Sequence, residues 1–144
     1  MARGDFRFLF PWRVRYAEID AQAIVFFPRY LQYANVGWME YWRHLGVPVE
    51  PAADAPVFNI VRATADYRKP MRLDEGIDIC VRCSRIGRTS MTTVFELHGI
   101  GQEDLRAEIE LTSVHLDGVG GRPAPLPEPI VSTLETFENR RLRA

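Results

Sequence analysis

The sequence predicts an α+β domain in which a curved antiparallel sheet of about five strands wraps one long central helix. Two observations carry this. Between positions 28 and 45, Leu31, Ala34, Trp38, Tyr41, Trp42 and Leu45 recur at the three- and four-residue spacing of an amphipathic helix with an aromatic face. Beyond position 57 the period changes to two, most clearly where Ile77, Ile79, Val81 and Cys83 alternate with Asp78, Cys80, Arg82 and Ser84. One helix beside several such strands builds neither a bundle nor a parallel sheet, so the strands must cover the aromatic face.

The elements follow in order. Phe8 to Tyr16 reads as a first strand, broken early by Pro11, with Arg13 and Arg15 alternating with Val14 and Tyr16. The helix runs from Pro28 to Leu45 and is stopped by Gly46 and Pro48. Val57 to Tyr67, Ile77 to Ile86, Thr89 to Ile100 and Leu105 to Leu116 are strands, and the short turns "IGRT" and "GIGQED" make their neighbours antiparallel. The segment "DGVGGRPAPLPEP" begins a Pro-rich tail, from about position 118, that is expected to fray or lie on the surface.

With 144 residues, 47% hydrophobic and 26% charged, the chain reads as a single domain, 1–144, able to bury a core without disulfides or metals. A formal net charge of -1 gives no global attraction for nucleic acid, so an anionic partner has to be met locally. The opening "MARGDFRFLFPWRV" has no apolar core of a signal peptide and no stretch reaches membrane-spanning length, which makes the cytoplasm the default location. Cys80 and Cys83 share C-x-x-C spacing but lie on a strand, where positions three apart point to opposite faces, so they read as structural thiols rather than metal ligands. The open edges of a sheet layer call for a second subunit, giving a homodimer or homotetramer.

The familiar nucleophile-elbow and zinc-helix motifs are absent, and "GVGG" leads into prolines rather than a helix. His44 falls in the last helical turn, where the macrodipole favours it, and His98 and His115 sit on strands and read as structural. Asp20 is different. It precedes "AIVFF" and lies too early to cap a helix beginning at Pro28, which leaves a capping or loop salt-bridge role and a catalytic one both open.

Three blocks carry a resemblance. The run Glu18-Ile19-Asp20-Ala21-Gln22-Ala23-Ile24-Val25-Phe26-Phe27-Pro28-Arg29-Tyr30, the segment Ala65-Asp66-Tyr67-Arg68-Lys69-Pro70-Met71-Arg72-Leu73-Asp74-Glu75 and the hairpin Ile86-Gly87-Arg88-Thr89-Ser90 resemble, in order and spacing, the 4-hydroxybenzoyl-CoA thioesterase family of the hotdog-fold superfamily. The resemblance implies hydrolysis of an acyl-CoA thioester with Asp20 as nucleophile or general base. It implies that the backbone N–H of Phe27, at the helix N-terminus, polarises the carbonyl, and that Phe26 and Phe27 wall the acyl pocket. Arg88, Thr89 and Ser90 match the nucleotide-contacting region, and Arg68, Lys69 and Arg72 form a second basic cluster for phosphate. Coenzyme A is then part of the substrate, and no separate cofactor or metal is expected.

The chain also departs from the family. Glu18 stands for an Asp, Ala23 for a Gly, Phe27 for the His of one branch, and Asn35 for the acid that the aromatic-acyl branch carries on its helix. An aromatic or short acyl group follows, with a noncatalytic acyl-CoA-binding protein as the alternative.

Overall fold

The structure, a computed structural model, describes residues 2–50 and 55–143. Five strands, β1 (Phe8–Arg13), β2 (Val57–Tyr67), β3 (Gly76–Ile86), β4 (Ser90–Gly99) and β5 (Leu105–Leu116), form one antiparallel sheet in the order β1-β3-β4-β5-β2. Strands β3, β4 and β5 are joined by tight turns and pair as chain neighbours, as their alternation and turn residues require. β2 instead crosses to the far edge and pairs with β5, from Val57 opposite Leu116 to Tyr67 opposite Ala107. The first strand is shorter than its pattern suggests: the chain leaves β1 at Arg13, and Tyr16–Glu18 closes a short 3-10 turn. Pro11 is tolerated because β1 is an edge, where a missing N–H breaks no ladder on the open side.

Helix α1 (Arg29–His44) lies on one face of the sheet and buries Tyr30, Tyr33, Ala34, Gly37, Trp38, Tyr41 and Trp42. Its closest approach is at Gly37, where a Cβ would meet Ile79 Cγ2 at 2.5 Å, so any side chain there would push helix and strand apart. Ile77, Ile79, Val81 and Cys83 of β3 fill the core beneath α1. Asp78, on the opposite face, is held by the Arg3 guanidinium at 2.6 Å. Cys80 and Cys83 are both fully buried and free, and desolvation pushes each thiol up to about 12.

The expected surface tail is corrected by the structure. Residues Glu128–Glu138 form a second helix, α2, and Leu126, Val131, Leu134 and Leu142 enter the same core as α1. Pro129 sits in the first helical turn, where its missing N–H costs nothing, so the prolines start the helix rather than prevent it. Burial of Glu138 is compensated by Tyr41, whose hydroxyl donates to Glu138 Oε2 at 2.6 Å, and by Cys83 N–H at 3.2 Å. Two helices, rather than one, therefore complete the core over the sheet.

Candidate active site

The turn carrying Asp20 is built by its own backbone and side chain. Asp20 N–H donates to Ile24 C=O at 2.8 Å, Ala23 N–H donates to Asp20 C=O at 2.9 Å, and Gln22 N–H donates to Asp20 Oδ1 at 2.8 Å. Asp20 Oδ2 accepts no hydrogen bond among the described residues, which leaves one carboxylate oxygen available. Ala23 takes φ 62, the left-handed region a glycine would occupy without strain.

Beneath this turn, Glu18 is buried and gathers three donors on Oε1: Tyr33 Oη at 2.7 Å, Arg15 N–H at 2.9 Å and the Trp12 indole N–H at 3.3 Å. Its carbonyl accepts Phe26 N–H at 2.9 Å. The chain then enters α1 without a side-chain cap; Arg29, Tyr30 and Leu31 N–H close onto Phe26, Phe27 and Pro28 carbonyls. Phe27 N–H has no acceptor among the described residues. Tyr67 Oη, from the end of β2, donates to Phe27 C=O at 3.2 Å and fixes the residue on its other side.

These elements line an open cavity of about 460 Å³ formed by Asp20, Gln22, Ile24, Val25, Phe27, Tyr30, Tyr67, Arg68, Lys69 and Pro70. The carboxylate, the Phe27 residue and two of the expected basic residues thus share one site. Arg68 and Lys69 are already paired, with Glu108 at 2.6 Å and Asp104 at 2.8 Å. Burial raises the Tyr30 phenol above its usual range, keeping it protonated in the wall.

Other expected residues lie elsewhere. Phe26 is exposed, with its ring against Phe27, but does not line the cavity. Asn35 is exposed on α1, two turns beyond Phe27, and is outside the cavity. Arg88, Thr89 and Ser90 stand at the far end of β3, whereas the Asp20 turn is tied to its beginning through Val25 N–H to Met71 C=O and the Ile24–Arg72 bridge. The eleven residues of β3 separate the two ends by about 30 Å, too far for one chain to bring them together.

Residues 14–134 match the family described as the thioesterase-like superfamily. The chain belongs to this superfamily. Within the superfamily, the acyl-CoA thioester hydrolase YbgC of Escherichia coli O157:H7 is 28% identical over 127 residues, covering 87% of this chain and 93% of the relative. A thioesterase from Thermus thermophilus, solved in complex with coenzyme A and Zn, has a TM-score of 0.81 and 25% identity over 94% of this chain and 98% of its own. A 1,4-dihydroxy-2-naphthoyl-CoA thioesterase from Synechocystis shares the fold, with a TM-score of 0.80 at 16% identity over 88% of this chain and 94% of its own.

For this superfamily member, residue spacing missed Glu18, Tyr30 and Tyr67 as parts of the site. Their signal was present: Tyr30 opens the helix and Tyr67 closes β2 within the two motif blocks, but their convergence depends on β2 crossing to the edge beside the helix N-terminus. Of the histidines, His98 is fully buried with Nε2 2.8 Å from Glu96 and Nδ1 accepting Asp104 N–H at 3.0 Å. Glu96, His98 and Glu103 offer atoms within 4.8 Å of one another, yet both imidazole nitrogens are engaged within the protein, which leaves His98 no lone pair for an ion.

Proposed function

We propose that the protein hydrolyses an acyl-CoA thioester, with Asp20 as the catalytic carboxylate. The observation that carries this reading is the convergence of Asp20, with one uncommitted oxygen, and Phe27, with an uncommitted amide, on one largely apolar cavity. A thioester carbonyl seated between them would develop negative charge against the Phe27 N–H and the helix N-terminus. Asp20 either attacks the carbonyl carbon, expelling the CoA thiolate and leaving a mixed anhydride for water to cleave, or takes a proton from the attacking water. Both routes end in free acid and CoA, and neither calls for a separate cofactor.

The motif blocks favour the 4-hydroxybenzoyl-CoA branch of the hotdog superfamily, and the aromatic lining of Phe27, Tyr30 and Tyr67 supports an aryl or short acyl group. Asn35, an uncharged donor and acceptor, argues against a requirement for an acid at its position. A cytoplasmic location suits a CoA ester.

The working unit is proposed to be a dimer formed through β2. This edge strand is eleven residues long and leaves Ile60 and Val61 bare, at 47% and 60% exposure, a surface that invites strand pairing. A two-fold pair sets the start of one β2 beside the end of the other. The Arg88 hairpin flanks the start of β2, since His115 N–H donates to Thr89 C=O and His115 pairs with Phe58. One subunit's Arg88, Thr89 and Ser90 would thereby approach its partner's Asp20 cavity, removing the separation seen within one chain.

Asp20→Asn assayed on a panel of aryl and short-chain acyl-CoA esters tests the reading. Loss of thiol release with the fold retained is expected. Unchanged rates overturn the catalytic assignment, and tight CoA binding by the wild-type protein without turnover on the whole panel would indicate a binding protein instead.

A further inference from the structure

We infer that the C-terminal segment supplies a second phosphate-binding arginine, Arg143, that acts with Arg88 on the phosphates of coenzyme A. This rests on the acyl-CoA reading and extends it to a residue that the thioesterase motifs do not contain. Ile86, Gly87, Arg88, Pro125 and Arg143 line a cavity of about 330 Å³ at the end of β3. The Arg88 guanidinium has no internal acceptor among the described residues.

Arg143 is placed there by the fold, not by chance contact. Leu142 is buried in the core, its carbonyl accepts Ile86 N–H at 3.0 Å, and residues 86 and 143 form a parallel bridge. Glu135 Oε2 takes Leu142 N–H at 2.7 Å and Arg143 N–H at 3.3 Å, which fixes the backbone from the α2 side. The side chain remains adaptable. Its guanidinium holds Glu128 at 2.7 Å and 3.3 Å, but the Glu128 side chain is 76% exposed, so this pair costs little to open.

Two guanidinium forks at one cavity match a phosphate ester, which accepts paired N–H bonds from each. Charge supports the same reading. A chain of formal net charge -1 gathers Arg82, Arg85, Arg88, Arg140, Arg141 and Arg143 at this end of the molecule, against Glu128, Glu135 and Glu138. Glu128 occupies the Arg143 fork in the free protein and is displaced when a phosphate, the stronger partner, arrives. The site therefore selects the nucleotide end of the substrate, while the Asp20 cavity selects the acyl end.

The test compares an acyl-CoA with the same acyl group on pantetheine, which lacks the nucleotide. Arg143→Ala is expected to lower the ratio of kcat/KM for the CoA ester over the pantetheine ester by about tenfold, through KM. Glu128→Ala, which frees the fork, is expected to raise that ratio, a change that a purely structural arginine would not produce. Titration calorimetry with free coenzyme A gives the same ordering without turnover, so it reads the site even if hydrolysis fails. An unchanged ratio and unchanged CoA affinity in Arg143→Ala, or an equal loss on both esters, overturns the assignment.

Discussion

Tyr33 donates its phenolic hydrogen to Glu18 Oε1 across 2.7 Å, with both side chains buried, two residues upstream of Asp20. The bond ties α1 to the Asp20 turn, and the same oxygen holds Trp12 of β1 and the Arg15 amide. All three partners are donors, so what the position needs is an acceptor oxygen. Glu18→Gln keeps that oxygen and should preserve stability and kcat to within a few-fold. Glu18→Ala strands buried donors and should cost about 2–3 kcal/mol in urea unfolding together with most of kcat. Equal behaviour of the two variants would remove the acceptor argument.

Ala23 sits at φ 62 in the Asp20 turn. Replacing it with Gly relieves the clash between Cβ and the carbonyl at a small gain in unfolded-chain entropy, and should stabilise the protein by about 0.5–1 kcal/mol. A raised urea midpoint checks this; a lowered one would mean that the methyl group makes compensating contacts.

The Arg106 guanidinium, followed by the Lys69 ammonium, holds Asp104 down to about 2, and Arg106 likewise lowers Glu75. An Asp in the unfolded chain titrates near 3.9, so Asp104 contributes stability that is complete above about pH 4 and is lost as pH falls toward 2. Removing Arg106 should flatten this acid limb, measured as the thermal midpoint between pH 5 and pH 2. A limb that stays equally steep in Arg106→Met would assign the acid sensitivity to other carboxylates.

Burial holds the Cys80 and Cys83 thiols up at about 12. Neither should react with a disulfide reagent at neutral pH in the folded protein, and both should react at once in denaturant. Rapid native labelling would place one of them in an open segment.

If the site is shared across β2, a catalytic lesion and a binding lesion should complement. Asp20→Asn mixed with Arg88→Ala forms heterodimers in which one site carries both changes and the other carries neither. Unfolding and refolding the mixture should restore a population with the wild-type KM for the CoA ester. No restoration would mean that Arg88 serves its own subunit's chemistry or none.

Much of this architecture is legible from residue periodicity, because burial imposes it. Trp38, Tyr41 and Trp42 are core residues at helical spacing, and Ala107, Ile109 and Leu111 are core residues at strand spacing. The illegible parts are those decided by non-local pairing. Nothing in Val57–Tyr67 says that it will skip β3 and pair with β5, yet this choice brings Tyr67 to Phe27 and leaves β2 at the edge of the sheet. The prolines at 123, 125, 127 and 129 mask α2, although Val131, Leu134 and Glu138 recur at helical spacing just beyond them. Asp20 is legible as an acid before a helix; that only one of its oxygens is occupied is knowable only once Gln22 N–H is seen to fold back on it.

The late position of Leu126, Val131, Leu134 and Leu142 in the chain has a consequence for biosynthesis. The sheet and α1 leave the ribosome first, with an aromatic face still missing part of its cover, and the nascent chain cannot close until the segment made after β5 clears the exit tunnel. The core should therefore be completed only after the segment beyond β5 has been made, and a growing chain that still lacks it should be a client for chaperones that shield exposed aromatic surface.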